Sequence, residues 1–298
     1  MGNVFKLFLG VRFYMDDAAI NRLYKELPDD KVRLLCSYAT RREGFLDILL
    51  SGVVMSSEEV LRLLGKVSTH RGSSMTVGGK EDFFTTNSYI SLSTGFVSFK
   101  YSDPAMLNWD SRTGGVGVFV PLEKVLAYTY LGFSHCSSKG AIKSYDLNRE
   151  NIRSAVHIAR RDGELFDDGF GNVFEIALCA TMKGGANRFG VESYPRLEIA
   201  GDVLVAIPMN EREVIEQELA QRQARYGVFL EKLSTVELNK RLSISIDDRD
   251  IWYPEKTIEF VRKMTKPVDL DALPIYWYSQ KNLDMALRCA SIGKHCAT

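Results

Sequence analysis

Glu198-Ile199-Ala200-Gly201-Asp202-Val203-Leu204-Val205-Ala206-Ile207-Pro208 is a strand-like run of β-branched and small apolar residues. Upstream of it the same texture recurs at Val67–Arg71, Tyr89–Ser93, Val116–Pro121 and Val173–Cys179, with glycine clusters between the runs. From Lys66 onward the chain therefore predicts a sheet. Asn148–Arg160 predicts a helix beside that sheet. Lys183–Ser193, with Gly184-Gly185, Asn187 and Gly190, predicts a loop just ahead of Glu198.

Helical patterns flank this block. Asp16 or Asp17 is placed to cap a helix running to about Leu27, and Pro28 terminates it. Ser56-Ser57-Glu58-Glu59 resembles a capping box ahead of Val60, Leu61, Leu63 and Leu64, with an end near Gly65. After Pro208, Asn210 is a candidate cap for a long amphipathic helix carrying Val214, Leu219, Tyr226, Phe229, Leu230 and Leu233. The region from Trp252, punctuated by Pro267 and Pro274, reads as a helical appendage. The expected organisation is an N-terminal helical part (1–65), a β-rich core (66–208) and a helical C-terminal extension (209–298) in one compact unit, an α+β fold.

Composition narrows the classes of function. The 298 residues are 45% hydrophobic, ample for a core, and Lys plus Arg balances Asp plus Glu at 38 each. No summed field draws the molecule to nucleic acid or an anionic membrane, so neither is an expected partner. The longest apolar stretches, Phe45–Met55 and Asp202–Met209, fall short of the roughly 20 residues that span a bilayer. Five cysteines (Cys36, Cys136, Cys179, Cys289, Cys296) without CxxC spacing point to reduced thiols and to no structural metal. Gly2 is present, but Lys6 stands where a myristoylation signal carries Ser or Thr, and Arg12, Asp16 and Asp17 interrupt any secretory apolar run.

Three fragments, in order, carry a resemblance: Ser68-Thr69-His70-Arg71-Gly72, Ser88-Tyr89-Ile90-Ser91-Leu92-Ser93-Thr94, and Tyr194-Pro195-Arg196-Leu197-Glu198-Ile199-Ala200-Gly201. They resemble the Arg, Ser-x-Ser and Glu signatures of the R-S-E class of mono-ADP-ribosyltransferases, over roughly Val67 to Pro208. The resemblance implies a split mixed or antiparallel sheet core holding NAD, as co-substrate and without metal, in a cleft between two sheets. Glu198, Arg71 and Ser91 would be the catalytic residues. Glu198 would set its charge beside the electron-poor ribose left when the nicotinamide bond breaks, a state akin to that of glycoside hydrolysis. Arg71 would fork onto phosphate or ribose oxygens of NAD, and Ser91 would orient Glu198 by a hydrogen bond. Gly72 and Ser93 would complete the NAD contacts, and Phe96 or Phe99 would cover the nicotinamide ring.

The segment Lys183–Tyr194 would read the target protein, with Arg188, Phe189, Tyr194 and Arg196 as recognition residues. Arg196 departs from the pattern of arginine-directed relatives, which carry an acid two positions before the catalytic glutamate. Without that base a guanidinium acceptor stays protonated, its pKa being above about 12, so a threonine or serine hydroxyl is the expected acceptor. Proteins of this kind include toxins and secreted bacterial effectors acting in a host cytoplasm, among them effectors that modify a threonine of ubiquitin. The resemblance thus makes a host protein, ubiquitin among the candidates, the expected partner of a monomeric enzyme.

Other chemistries have less support. Cys179 or Cys136 with His157 or His135 would form a thiolate–imidazole pair, but neither cysteine sits in a nucleophile motif. Lys183-Gly184-Gly185 lacks the spacing of a phosphate loop. His70, with Tyr89 or Tyr101, would suit the H-Y-E class of NAD-using enzymes, which the Ser-x-Ser element disfavours. The alternative from another class is a non-catalytic interaction protein with a degenerate transferase fold, its helix Asn210–Leu233 binding a partner.

Overall fold

The computed structural model describes residues 17–38, 40, 42–56, 59–60, 63–64, 89–93, 117–128, 131–134, 143–144, 149–162, 175–182, 191–233, 254–278 and 283–292. Helix α1 (Asp17–Glu26) leads to β1 (Leu35–Tyr38), α2 (Arg42–Ser51), β2 (Val53–Met55) and β3 (Ile90–Ser93). Next come β4 (Gly117–Pro121), α3 (Leu122–Leu126), β5 (Leu131–Ser134), β6 (Lys143–Ser144) and α4 (Arg149–Asp162). Strands β7 (Glu175–Leu178), β8 (Thr181–Met182), β9 (Val191–Ser193), β10 (Arg196–Glu198) and β11 (Leu204–Pro208) follow. The chain closes with α5 (Arg212–Leu233), α6 (Pro254–Met264), β12 (Ile275–Tyr278) and α7 (Leu283–Ser291). The fold is mixed α+β.

Eight strands form one sheet in the order β12-β11-β4-β1-β3-β7-β5-β6. The β11–β12 pair is parallel and the other pairs are antiparallel, so the sheet is mixed. Among the described residues its two halves meet at a short seam between β1 and β3. Strand β1 pairs β4 from Leu35↔Pro121 to Tyr38↔Val118, whereas the described β1–β3 pairing is the single register pair Ser37↔Ser93.

Strand alternation explains why the central strands are apolar on both faces. Cys36, Val118, Val120, Val205 and Ile207 enter the main core, while Leu35, Phe119 and Ala206 face a second cluster with Tyr278 and Leu287. Helices α2, α5 and α6 pack on one another over the main core. Helix α5 contributes Ile215, Leu219, Tyr226 and Leu233, spaced to share one face, and its other residues are partly or fully exposed. An ion pair fixes α2 to α5: Arg222 donates to both oxygens of Asp47, at 2.5 and 2.6 Å, and the Tyr226 hydroxyl donates to Asp47 Oδ1 at 2.9 Å.

Sequence and structure differ in three places. The N-terminal part supplies not only helices but β1, near the middle of the sheet, and β2. Strands of four and three residues, most of them buried, carry no period by which a sequence reveals them. The C-terminal region is not purely a helical extension, because β12 joins the sheet edge alongside β11. Its Ile-Tyr-Trp-Tyr, directly after Pro274, is a β-branched and aromatic run of the kind that favours strands. Finally, the Glu198–Pro208 run is two strands in two sheets. Gly201, at φ +67°, turns the chain between β10 and β11 in a backbone region costly for residues with a Cβ.

Among the described cysteines, Cys36 and Cys179 are buried free thiols, whereas Cys289 is in a disulfide, contrary to the expectation of reduced thiols throughout. No described helix is long and apolar enough to cross a membrane.

Candidate functional site

Strand β10 carries the glutamate singled out by sequence. It pairs antiparallel with β2 as a separate two-stranded sheet, Arg196 opposite Met55 and Glu198 opposite Val53. Leu197 is fully buried between the exposed Arg196 and Glu198, and Ile199, also buried, donates its N–H to the carbonyl of Gly52 at 3.0 Å. Alternation thus puts Arg196 and Glu198 on the same, outward face, held by an apolar inner face.

Two side chains from other elements converge on this strand. Glu59 is 5% exposed, and its Oε1 accepts from Arg196 Nε at 2.7 Å and lies 2.6 Å from Arg196 Nη2. Burial pushes the Glu59 carboxyl above its ordinary range, while the Arg196 hydrogen bond and charge, with Lys256 nearby, pull it back. Glu59 Oε2 is buried without a hydrogen-bond partner among the described residues. From the turn after α3, the Tyr128 hydroxyl donates to the carbonyl of Arg196. Burial first, and then the negative charge of Glu198, push the Tyr128 phenol up. Glu198 therefore lies within electrostatic reach of Tyr128.

Sequence reading missed both neighbours. Glu59 was legible only as part of a capping box, and Ser56 does cap there, its Oγ accepting from the Glu59 N–H at 3.3 Å. The carboxylate, however, reaches Arg196 instead of completing a reciprocal cap. Tyr128 carries no motif, and a contact across 68 positions leaves no local signal.

The other expected residues are distributed as follows. Ser91 pairs with Ala177, and Ser93 with Glu175 and Ser37, which places the Ser-x-Ser element on β3 at the seam of the large sheet. Serines and glutamate therefore stand in different sheets. Tyr194 is half-buried just before β10. Arg71, Gly72, Phe96, Phe99, Arg188 and Phe189 lie outside the described residues, as does the strand expected at 67–71. Of the expected Lys183–Ser193 loop, the end is a strand: Val191–Ser193 pairs antiparallel with Thr181–Met182.

A cavity of about 580 Å³ opens elsewhere, between the 29–34 segment, α3 and α4, and none of the expected site residues lines it. Its floor is apolar (Val32, Leu34, Leu122), and its charges are paired with one another. Arg153 holds Glu123 at 2.6 and 2.8 Å and Glu150 at 3.1 Å, and Asp202 pairs with Arg33 and, at 3.7 Å, with Lys124. Buried His157 has its Nδ1 3.2 Å from Asp29 Oδ1, and burial lowers its pKa despite that carboxylate. Asp29 in turn accepts from Arg160 at 2.5 Å and Arg161 at 2.9 Å. Arg160 is fully buried, and its bonds to the carbonyls of Tyr24 and Leu27 close the C-terminal end of α1. This charge network stabilises the helix packing, and its mutual pairing leaves no convergent unpaired charge among the described residues to define a ligand. The outward carboxylate of Glu198 on a braced strand is the stronger chemical candidate.

Among the described residues no group of three or more His, Cys, Asp or Glu side chains is arranged to hold a metal ion. Comparison with protein-family models, curated proteins and solved structures finds no significant match to this chain.

Proposed function

We propose that this protein is a mono-ADP-ribosyltransferase that cleaves NAD and transfers ADP-ribose to a side-chain hydroxyl of another protein. The observation that carries the reading is the ordered set of Arg71-Gly72, Ser91-Leu92-Ser93 and Glu198 fragments. The exposure of Glu198 on a strand whose inner face is fully buried supports it. A fixed carboxylate open to a ligand is what a cationic ribosyl centre requires.

In this reading the bond from ribose C1′ to the nicotinamide nitrogen breaks, and its electron pair leaves with nicotinamide. The Glu198 carboxylate stabilises the positive charge left at C1′ and holds a ribose hydroxyl, a preorganised contribution of order several kcal/mol. Ser91 orients that carboxylate. Arg71 grips NAD phosphate or ribose oxygens, with Gly72, Ser93 and an aromatic ring from Phe96 or Phe99 around the nicotinamide end. The acceptor oxygen then attacks C1′ and releases its proton late, so little base strength is needed.

Arg196 sits where a base would assist a guanidinium acceptor, and its own guanidinium is engaged with Glu59. A hydroxyl acceptor is the consistent choice, and a threonine of ubiquitin is a concrete target to test. Arg188, Phe189 and Tyr194, ahead of the glutamate, are the proposed target contacts. The setting that suits such an activity is that of a secreted effector acting in a host cytoplasm.

The test is incubation with NAD labelled in its adenylate part, with and without ubiquitin, followed by mapping of any adduct by electron-transfer fragmentation. Label on a threonine or serine supports the reading, and label on arginine overturns the acceptor class. Label on no protein, with NAD left intact, leaves the interaction-protein alternative in its place.

A further inference from the structure

Strand β10 is three residues long and among the described residues pairs with one neighbour, β2, so that ladder alone is a weak support for a residue that must hold a fixed direction. The structure adds two braces, and both act at the same residue. Glu59 takes the Arg196 side chain through two nitrogens converging on one oxygen. Tyr128 takes the Arg196 backbone carbonyl from the opposite end of the residue. Glu59 follows β2 in the chain and Tyr128 follows α3, so β10 is tied to two elements besides its partner strand.

We propose that Glu59 and Tyr128 are positioning residues that jointly fix the bearing of Glu198, acting through Arg196 as the anchored residue of β10. This assignment rests on the reading of Glu198 given above. It gives Arg196 the role of an anchor in place of a target-reading side chain.

The physical argument is one of leverage. Arg196 and Glu198 are neighbours on one face of a short strand, and Leu197 between them is immobilised in the core. Releasing Arg196 leaves the strand held only by the buried Leu197 side chain and its short ladder, so the Ile199–Gly52 hydrogen bond opens more often. Glu198 would keep its neighbourhood and lose its exact bearing. Loss of bearing reduces turnover, because a misdirected charge stabilises the transition state less, while NAD affinity stays largely intact. Glu59 is 5% exposed, so removing its hydrogen bond to Arg196 leaves a largely buried carboxylate short of its bonded cation.

The test compares wild type with Tyr128→Phe and Glu59→Gln, both nearly isosteric, in two measurements. The first is amide hydrogen exchange at Ile199 and the β10 amides, with the amides of β4 as internal reference. The second is steady-state NAD hydrolysis. The expected result is exchange at least about tenfold faster in β10 and unchanged in β4, a kcat lowered about tenfold, and a KM for NAD within about twofold of wild type. Unchanged β10 exchange overturns the brace. Faster exchange with wild-type kcat, or a loss confined to KM, overturns the positioning role. Wild-type protein that hydrolyses no NAD removes the transferase reading instead, and the exchange measurement still decides whether Glu59 and Tyr128 brace β10.

Discussion

Arg196 crosses from β10 to the buried carboxylate of Glu59, its Nη2 2.6 Å and its Nε 2.7 Å from the same oxygen. Because burial outweighs this pairing, the Glu59 carboxyl is held above its ordinary value of about 4.5. A carboxyl that binds its proton more tightly when folded contributes stability that is present below the unfolded value and lost as pH rises through the folded one. Urea unfolding of wild type and Glu59→Gln from about pH 4 to about pH 7 is therefore expected to show wild type losing ground to the variant as pH rises above about 4.5. Parallel stability curves would contradict the assignment of a buried, incompletely compensated carboxylate.

Asp47 joins α2 to α5 by accepting from both Arg222 and Tyr226. Its side chain is 13% exposed and that of Arg222 19%, so removing the acid strands a largely buried cation. Asp47→Ala is expected to cost about 2–4 kcal/mol, and Tyr226→Phe, which removes one hydrogen bond, about 1 kcal/mol. Denaturant midpoints measure both. A loss below about 0.5 kcal/mol for Asp47→Ala would show that the two helices are held by apolar packing alone.

What sequence reveals here follows range and period. Helix α5 was legible because Leu219, Tyr226 and Leu233 recur at multiples of the helical repeat, and α1 because Asp17 and Pro28 bracket it. Strands β4 and β7 were legible from their β-branched runs, near Val116–Pro121 and Val173–Cys179. Strand β1 and β12 were not, since each is four residues long and owes its state to partners far along the chain. The same holds at the site. Glu198 was singled out from its local sequence, but the residues that bear on it, Glu59 and Tyr128, come from elsewhere in the chain and could be found only in three dimensions.

Gly201 allows the turn that separates Glu198 from β11. Its φ is +67°, and nothing lies within 4 Å of where a Cβ would stand, so the cost of substitution is conformational rather than steric. Gly201→Ala is expected to destabilise by about 1–2 kcal/mol, and Gly201→Asn by less, because asparagine enters the left-handed region more readily. Equal losses, measured by thermal unfolding, would point to a steric cause instead.

Cys36 is fully buried in β1, and burial pushes its thiol up to about 12. It is expected to resist thiol-specific reagents at about pH 8 in the native protein and to react once denaturant unfolds the chain. Labelling of Cys36 at the rate of a free thiol, followed by peptide mapping, would show that the core around β1 opens without global unfolding.

In the proposed reaction the Glu198 carboxylate drives cleavage of the nicotinamide bond. Release of nicotinamide from NAD, followed over time for wild type and Glu198→Gln with folding checked by circular dichroism, measures that role. The expected result is release by wild type and a loss of at least about a hundredfold in the folded variant, the scale of removing one preorganised electrostatic group. Equal release by the two proteins, or none by wild type, would contradict it.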